Sequence, residues 1–268
     1  MTEQTETARD ATYSAPALEK GLDILELLAR HGRPMGMKNL ADEIGRSKSE
    51  IFRMVHVLLA RGYLSRDFVS DRLTLSNKLF TLGMQTARVR NLVGVAAPVL
   101  ERFAGAIQQA VHLVVPSRGE AVILVASSGG SDMNFSLRVG YRRPLVDSHS
   151  GLVLMAFQLP DARDRMIADC LAATDRAQPL APLFDRLETV RADGSIVHES
   201  RDIVGLTDVC CPILSPNGSA EACLTTVVVS RRNATEDFES LIARQKAACT
   251  EISDQYHAYT PERQINFD

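Results

Sequence analysis

The sequence predicts an α+β chain in two parts: a small front domain of helices closed by a β-hairpin, and a larger back domain of mostly antiparallel sheet with flanking helices. Three observations predict it. Apolar residues recur at helical spacing in three runs before Gly62, and a glycine follows each run. Two short alternating runs then flank a turn-like pentapeptide, Asp67-Phe68-Val69-Ser70-Asp71. Beyond Ala110, alternating runs separated by turn sequences replace much of the helical periodicity.

The chain has 268 residues, 45 % apolar and 24 % charged, which fits a globular protein of two domains. Its net charge of −3 is unevenly spread. Residues 17–90 hold 13 Lys and Arg against 8 Asp and Glu, a net of +5, whereas residues 91–268 hold 16 against 22, a net of −6. A basic front on an acidic back points to a polyanion as partner of the front. The first sixteen residues are polar and lack the apolar core of a signal peptide. No apolar run has the length of a membrane span. The five cysteines, Cys170, Cys210, Cys211, Cys223 and Cys249, are odd in number and form no framework, so they are expected as reduced thiols. The expected divisions are a disordered tail at 1–14, the front domain at 15–83, a linker helix at 84–95, the back domain at 96–260 and a second tail at 261–268.

The first helix is expected over 17–31, with Leu18, Leu22, Leu25 and Leu28 as its inner stripe, Gly32 as its stop and Pro34 beyond. A second runs over 37–44, with Leu40 and Ile44 inward and Gly45 at its end. Ser47 or Ser49 caps the third, which buries Ile51, Val55, Leu58 and Leu59 and stops at Gly62. Helix, tight glycine turn, helix is a helix-turn-helix. Strands at 63–66 and 72–75 add a wing.

From 76 to 110 the chain reads helical, interrupted at Gly83, Gly94 and Pro98: first a linker helix, then the first helix of the back domain. Strands follow at 111–116 and 121–127 across Ser-Arg-Gly-Glu, and at 135–139. Helices are expected at 151–158 and 161–172, and a strand at 194–199. Strands at 208–214 and 222–230 flank Ser215-Pro-Asn-Gly. The last helix spans 235–259, opened by Thr235 and Asp237.

The outer face of the third helix carries Ser47, Lys48, Ser49, Arg53 and His56, with Glu50 the only acid. In a helix-turn-helix this helix enters the major groove with its N-terminal end. Serine and lysine suit phosphate contacts, arginine can bridge guanine O6 and N7, and a first turn without bulky apolar groups lets backbone amides approach phosphate. Phe52 either packs inward or meets a thymine methyl. Arg66 and Arg72 on the wing reach flanking phosphate or minor groove. The alternatives are a solvated helix face and a protein-binding helical unit.

The runs ALEKGLDILELLARHG, NLADEIGRSKSEIFRMVHVLLARGYLSRD and RLTLSNKLFTLG resemble the N-terminal domain of IclR-type bacterial transcription regulators. The likeness continues through AVHLVVPSRGEAVILVAS, VGYRRPLVDSHSGLVLMAF and GLTDVCCPILSPNGSAEACLTTVVVS. It implies a bacterial cytoplasmic, nucleoid-associated repressor. Such a protein binds a palindromic operator as a homodimer or dimer of dimers, and its back domain is a GAF-like sensor for a small organic acid. By position, the family's ligand loop falls on His149, Ser150 and Gly151, and the facing strands give His198, Leu206, Asp208, Cys210 and Thr225. Where the family pattern has Gly-Lys, this chain has Gly151-Leu152.

The residues themselves support part of that pocket. Ser148-His149-Ser150-Gly151 precedes an apolar helix, so its amides and hydroxyls suit an anion, with Ser148 or Ser150 as a plain helix cap the alternative. His149 adds a proton-linked charge. His198 reads equally as a surface or satisfied core residue. No cofactor is expected. The alternatives for the back domain are a divalent-metal sensor, with His112, His149, His198 and Asp208 of suitable type but without local spacing, and a small-molecule hydrolase. Against the hydrolase, and against an enzyme generally, the chain lacks G-x-S-x-G, a P-loop, G-x-G-x-x-G and H-E-x-x-H. Cys210 and Cys211 would point to opposite faces of a strand and read as buried apolar positions. Arg138, Arg142 and Arg143 precede Pro144 in an expected loop, as anion guides, a subunit contact or solvated charges.

Overall fold

The computed structural model describes residues 15–130, 135–174, 180–230 and 237–259. Both expected tails and Thr235 lie outside them. The chain divides between Thr86 and Ala87 into two units.

The front unit comprises α1 (Pro16–His31), α2 (Met37–Ile44), α3 (Lys48–Ala60), β1 (Leu64–Arg66), β2 (Leu73–Leu75) and α4 (Lys78–Gln85). Gly32 and Gly45 end α1 and α2 at φ 62° and 69°, the left-handed conformation that glycine adopts without steric cost. The strands pair antiparallel, Leu64 opposite Leu75, and Met35 bridges to Leu73, tying the α1–α2 connection to the wing. Ile24, Leu28, Leu40, Ile51, Val55, Leu64 and Leu73 form one core. The expected stripe of α1 is corrected in its first half. Leu18 and Leu22 are 63 % and 48 % exposed, and burial falls on Ile24, Leu25, Leu27 and Leu28, because only the C-terminal half of the stripe meets the core.

The back unit opens with α5 (Ala87–Ile107), one helix through Gly94 and Pro98 in place of a separate linker helix at 84–95. Pro98 removes one ladder amide, but Leu92, Val95, Ala96, Val99, Leu100 and Phe103 bury a continuous face that holds the helix together. Then follow β3 (Ala110–Ser117), β4 (Glu120–Ser127), β5 (Arg142–Pro144), a 3-10 turn (Leu145–Asp147), α6 (His149–Ala156), α7 (Pro160–Thr174), α8 (Leu180–Asp193), β6 (Ile196–Glu199), β7 (Leu206–Leu214), β8 (Ala220–Val229) and α9 (Phe238–Tyr259). The six-stranded sheet has the order β5-β4-β3-β8-β7-β6, and all its pairings are antiparallel.

Strand alternation separates two cores. Val111, Leu113, Val209, Cys211 and Leu224 face α5 and α9, while Val114, Ile123, Cys210 and Cys223 face α6, α7 and α8. Gln245 on α9 is fully buried. Its amide donates to the carbonyls of Val209 (2.9 Å) and Leu224 (2.8 Å) and accepts from Thr226 Oγ1 (2.6 Å), fixing the helix to β7 and β8. Cys210 and Cys211 do take opposite faces. All five cysteines are buried and none is in a disulfide, and burial pushes the Cys211 thiol up to about 12.

Two local expectations differ from the structure. Residues 135–138 form no strand, because the Leu137 amide donates to the His112 ring (3.0 Å) instead of to a ladder. Arg142 and Arg143 lie on edge strand β5 and not in a loop. Helix α8 has no counterpart among the expected elements, although Leu183, Leu187 and Val190 mark its buried stripe at spacings of four and three.

Candidate functional sites in the two units

In the front unit α3 presents one outward face. Ser47 is its N-cap: the side chain accepts from the Glu50 amide (3.3 Å), and Glu50 Oε2 accepts from the Ser47 amide (2.9 Å), a capping box. Ser47 thus caps the helix and Ser49 does not. The Ser47 backbone amide first, and then the Ser47 hydroxyl, which donates to Glu50 Oε2 at 2.8 Å, lower the Glu50 carboxyl to about 2. Lys20 of α1 adds an ion pair at 3.2 Å, so the single acid of this surface is already engaged.

Lys48, Ser49, Phe52, Arg53 and His56 are all exposed. Residues 49, 52, 53 and 56 recur at helical spacing and share one face. Phe52 is 57 % exposed, which decides against inward packing. Arg66 and Arg72 are exposed on the wing, where Arg66 donates to Asp71 at 3.0 Å.

In the back unit a cavity of about 200 Å³ lies on the α6 face of the sheet. The register builds its floor: His112 of β3 stands opposite Thr225 of β8, and Thr225 opposite Cys210 of β7. Val114, Ile123, Phe135, Leu137, Leu206 and Val227 give apolar walls. Polar groups enter from the N-terminus of α6 (Ser148, His149, Ser150), from Arg143, and from Arg201, Asp202 and Asp208. Ser148, and not Ser150, caps α6, accepting from the Gly151 amide at 3.0 Å. His149 is buried, with Nδ1 2.9 Å from Asp208 Oδ2.

Of the eight positions expected to touch ligand, His149, Ser150, Leu206, Asp208 and Thr225 line this cavity and three do not. Gly151 lies under the helix start. A Cβ there would stand 2.1 Å from the Leu145 carbonyl oxygen, so glycine permits the close packing of α6 on the 3-10 turn. Cys210 shares the cavity's face of the sheet but is packed wholly into the core beside it, its Sγ 3.5 Å from Thr225 Oγ1. His198 stands on the far side of His149, ring centroids 5.2 Å apart, and lines a second cavity of about 390 Å³ with Arg186 and Val190.

The expected ligand set omits two cavity residues: His112, weighed only as a metal ligand, and Arg143, weighed only as one of three arginines able to guide an anion. His112 is 1 % exposed. Its Nε2 accepts the Leu137 amide, which makes the ring neutral with the proton on Nδ1. Burial lowers its pKa to about 4, against the opposing pull of the Asp208 charge. The Leu137 bond engages Nε2 of His112, and among the described residues no three His, Cys, Asp or Glu side chains converge on a metal position. Among the described residues no helix is long and apolar enough to cross a membrane.

Residues 17–67 match the family model described as the IclR helix-turn-helix domain, and residues 84–254 match that described as bacterial transcriptional regulator IclR C-terminal. The chain is 24 % identical over 254 residues to the HTH-type transcriptional regulator KdgR of Escherichia coli (strain K12), covering 92 % of this chain and 95 % of that one. It is 24 % identical over 221 residues to the HTH-type transcriptional repressor AllR of Salmonella typhimurium, covering 80 % of each. An IclR homolog from Microbacterium hydrocarbonoxydans complexed with 4-hydroxybenzoate shares the fold at a TM-score of 0.76 and 21 % identity, over 90 % of this chain and 99 % of the other. A helix-turn-helix front and a sheet-and-helix back, whose two family matches together cover most of the chain, place it in the IclR family of DNA-binding bacterial transcription regulators.

Proposed function

We propose that this regulator is a repressor that leaves its operator when a small organic acid occupies the cavity between the sheet and α6. The observation that carries this reading is the composition of that cavity: apolar walls, with the α6 N-terminus, His149 and Arg143 among its polar lining. A helix start and a guanidinium favour a carboxylate, while the walls take an apolar body. A volume of about 200 Å³ suits a small molecule. No step of this reading requires catalysis or a resident metal.

On the DNA side, α3 docks in the major groove through Lys48, Ser49, Phe52, Arg53 and His56, with the amides at the Ser47 cap near phosphate and Arg66 and Arg72 on flanking backbone. The protein binds a palindrome as a homodimer. Exposed Leu18 and Leu22 on α1 and Phe80 on α4 supply apolar surface for a second copy.

The test is a thermal-shift screen of the full chain against small carboxylates and their uncharged amides, followed by operator-binding titrations with each hit. Expected is a selective acid that raises the melting temperature and weakens DNA binding. Acids and amides acting alike, or a hit that leaves DNA binding unchanged, would overturn the reading.

A further inference from the structure

Strands β5 and β6 are the two edges of the six-stranded sheet. In a flat sheet, five strand spacings would hold them about 24 Å apart. Yet Arg143, on β5, bonds to Asp202, in the loop that joins β6 to β7. The sheet curls until its two edges meet over the cavity, and this ion pair joins them. Both terminal nitrogens of Arg143 donate to Asp202, one to each carboxylate oxygen, the Nη2–Oδ1 bond measuring 3.0 Å. That is the two-pronged geometry in which arginine binds a carboxylate ligand.

We propose that Asp202 is a built-in stand-in for the effector. Its carboxylate occupies the place on Arg143 that the carboxylate of an incoming acid takes, and binding exchanges one for the other. The inference rests on the acid reading of the cavity and adds its anchor and its competitor.

Charge supports an exchange over an addition. With Asp202 in place the cavity already holds three carboxylates, those of Asp147, Asp202 and Asp208, against Arg143 and Arg201. A fourth anion would meet a guanidinium occupied on both terminal nitrogens. Displacing Asp202 keeps the charge count constant and gives the entering acid the same two bonds.

The loop is built to release. Its ends are pinned by the Ser200 amide to the Leu206 carbonyl (2.8 Å) and by the Ser230 amide to the Gly205 carbonyl (2.9 Å). Between them Val204 is fully exposed and Asp202 half exposed, and Asp202 ties the middle of the loop to β5. A tie of that exposure is weak enough for a ligand to replace. The same exchange converts occupancy into a movement of the β6–β7 loop.

The test uses the full chain, with benzoate as the probe and benzamide as its neutral counterpart, in titration calorimetry and amide hydrogen exchange. For Asp202→Asn and Asp202→Ala, benzoate is expected to bind about fivefold tighter than to the wild type, with benzamide unchanged. Exchange of residues 200–205 is expected to rise in both variants, and in the wild type when benzoate is added. Arg143→Ala is expected to lose the preference for benzoate over benzamide. Equal benzoate affinity in wild type and variants overturns the stand-in and leaves the acid reading intact. Faster loop exchange in the variants without benzoate binding to any protein overturns the acid reading, and with it the exchange. Unchanged loop exchange and no binding overturn both.

Discussion

His149 Nδ1 lies 2.9 Å from Asp208 Oδ2, joining the first residue of α6 to β7 of the sheet. The imidazole is 6 % exposed and the carboxylate 22 %. A carboxylate on Nδ1 fixes both the tautomer and the plane of the ring. His149 lines two cavities of the back unit, so whatever orients it shapes both.

Asp208→Ala leaves a buried imidazole nitrogen without this acceptor, which costs about 1–3 kcal/mol. Chemical denaturation is expected to show a lower midpoint at unchanged slope. Acid binding is expected to weaken as well, because the ring is no longer held. A variant with wild-type stability would show that the pair contributes nothing.

The buried, neutral His112 links stability to pH. Its folded-state pKa of about 4 lies below the ordinary 6.5. Its contribution is therefore complete above about pH 6.5 and is lost as pH falls toward 4, by roughly 3 kcal/mol in full. In His112→Phe the pH dependence of unfolding between those values is expected to flatten. Identical profiles for wild type and variant would place the dependence elsewhere.

Gly151→Ala tests close packing against ligand contact. The added Cβ meets the Leu145 carbonyl oxygen at 2.1 Å, and that oxygen belongs to backbone that cannot rotate away. A loss of about 3 kcal/mol or more is expected in the back unit. A stable variant that has lost only its response to acids would restore Gly151 to the ligand site.

Ser47 and Arg53 separate folding from recognition on α3. Ser47→Ala removes the cap and is expected to lower front-domain stability by about 1 kcal/mol. Arg53→Ala is expected to leave the melting temperature unchanged and to weaken operator binding about tenfold or more, as one lost base contact does. The phosphate-facing Lys48→Ala is expected to reduce the salt dependence of binding by about one ion. Equal operator affinity for wild type and Arg53→Ala would remove that residue from the interface.

The front unit was legible in the sequence because its signals are local. Glycines at 32 and 45 stop helices by adopting positive φ, Ser47 and Glu50 cap within one turn, and the wing strands are neighbours in the chain. Periodicity failed at Leu18 and Leu22, since a stripe says which residues share a face but not how far a core extends beneath it. In the back unit the opposite faces of Cys210 and Cys211 were equally local, whereas the sequence left the cap of α6 open between Ser148 and Ser150 and only the structure chose Ser148. Membership of the cavity was not local. His112, Thr225 and Cys210 fall in one row only through strand pairings of distant segments, and of the three His112 and Thr225 line the cavity while Cys210 is packed into the core beside it. Arg143 and Asp202 meet because the sheet curls edge toward edge, a property of the order and twist of six strands that no local run of residues encodes.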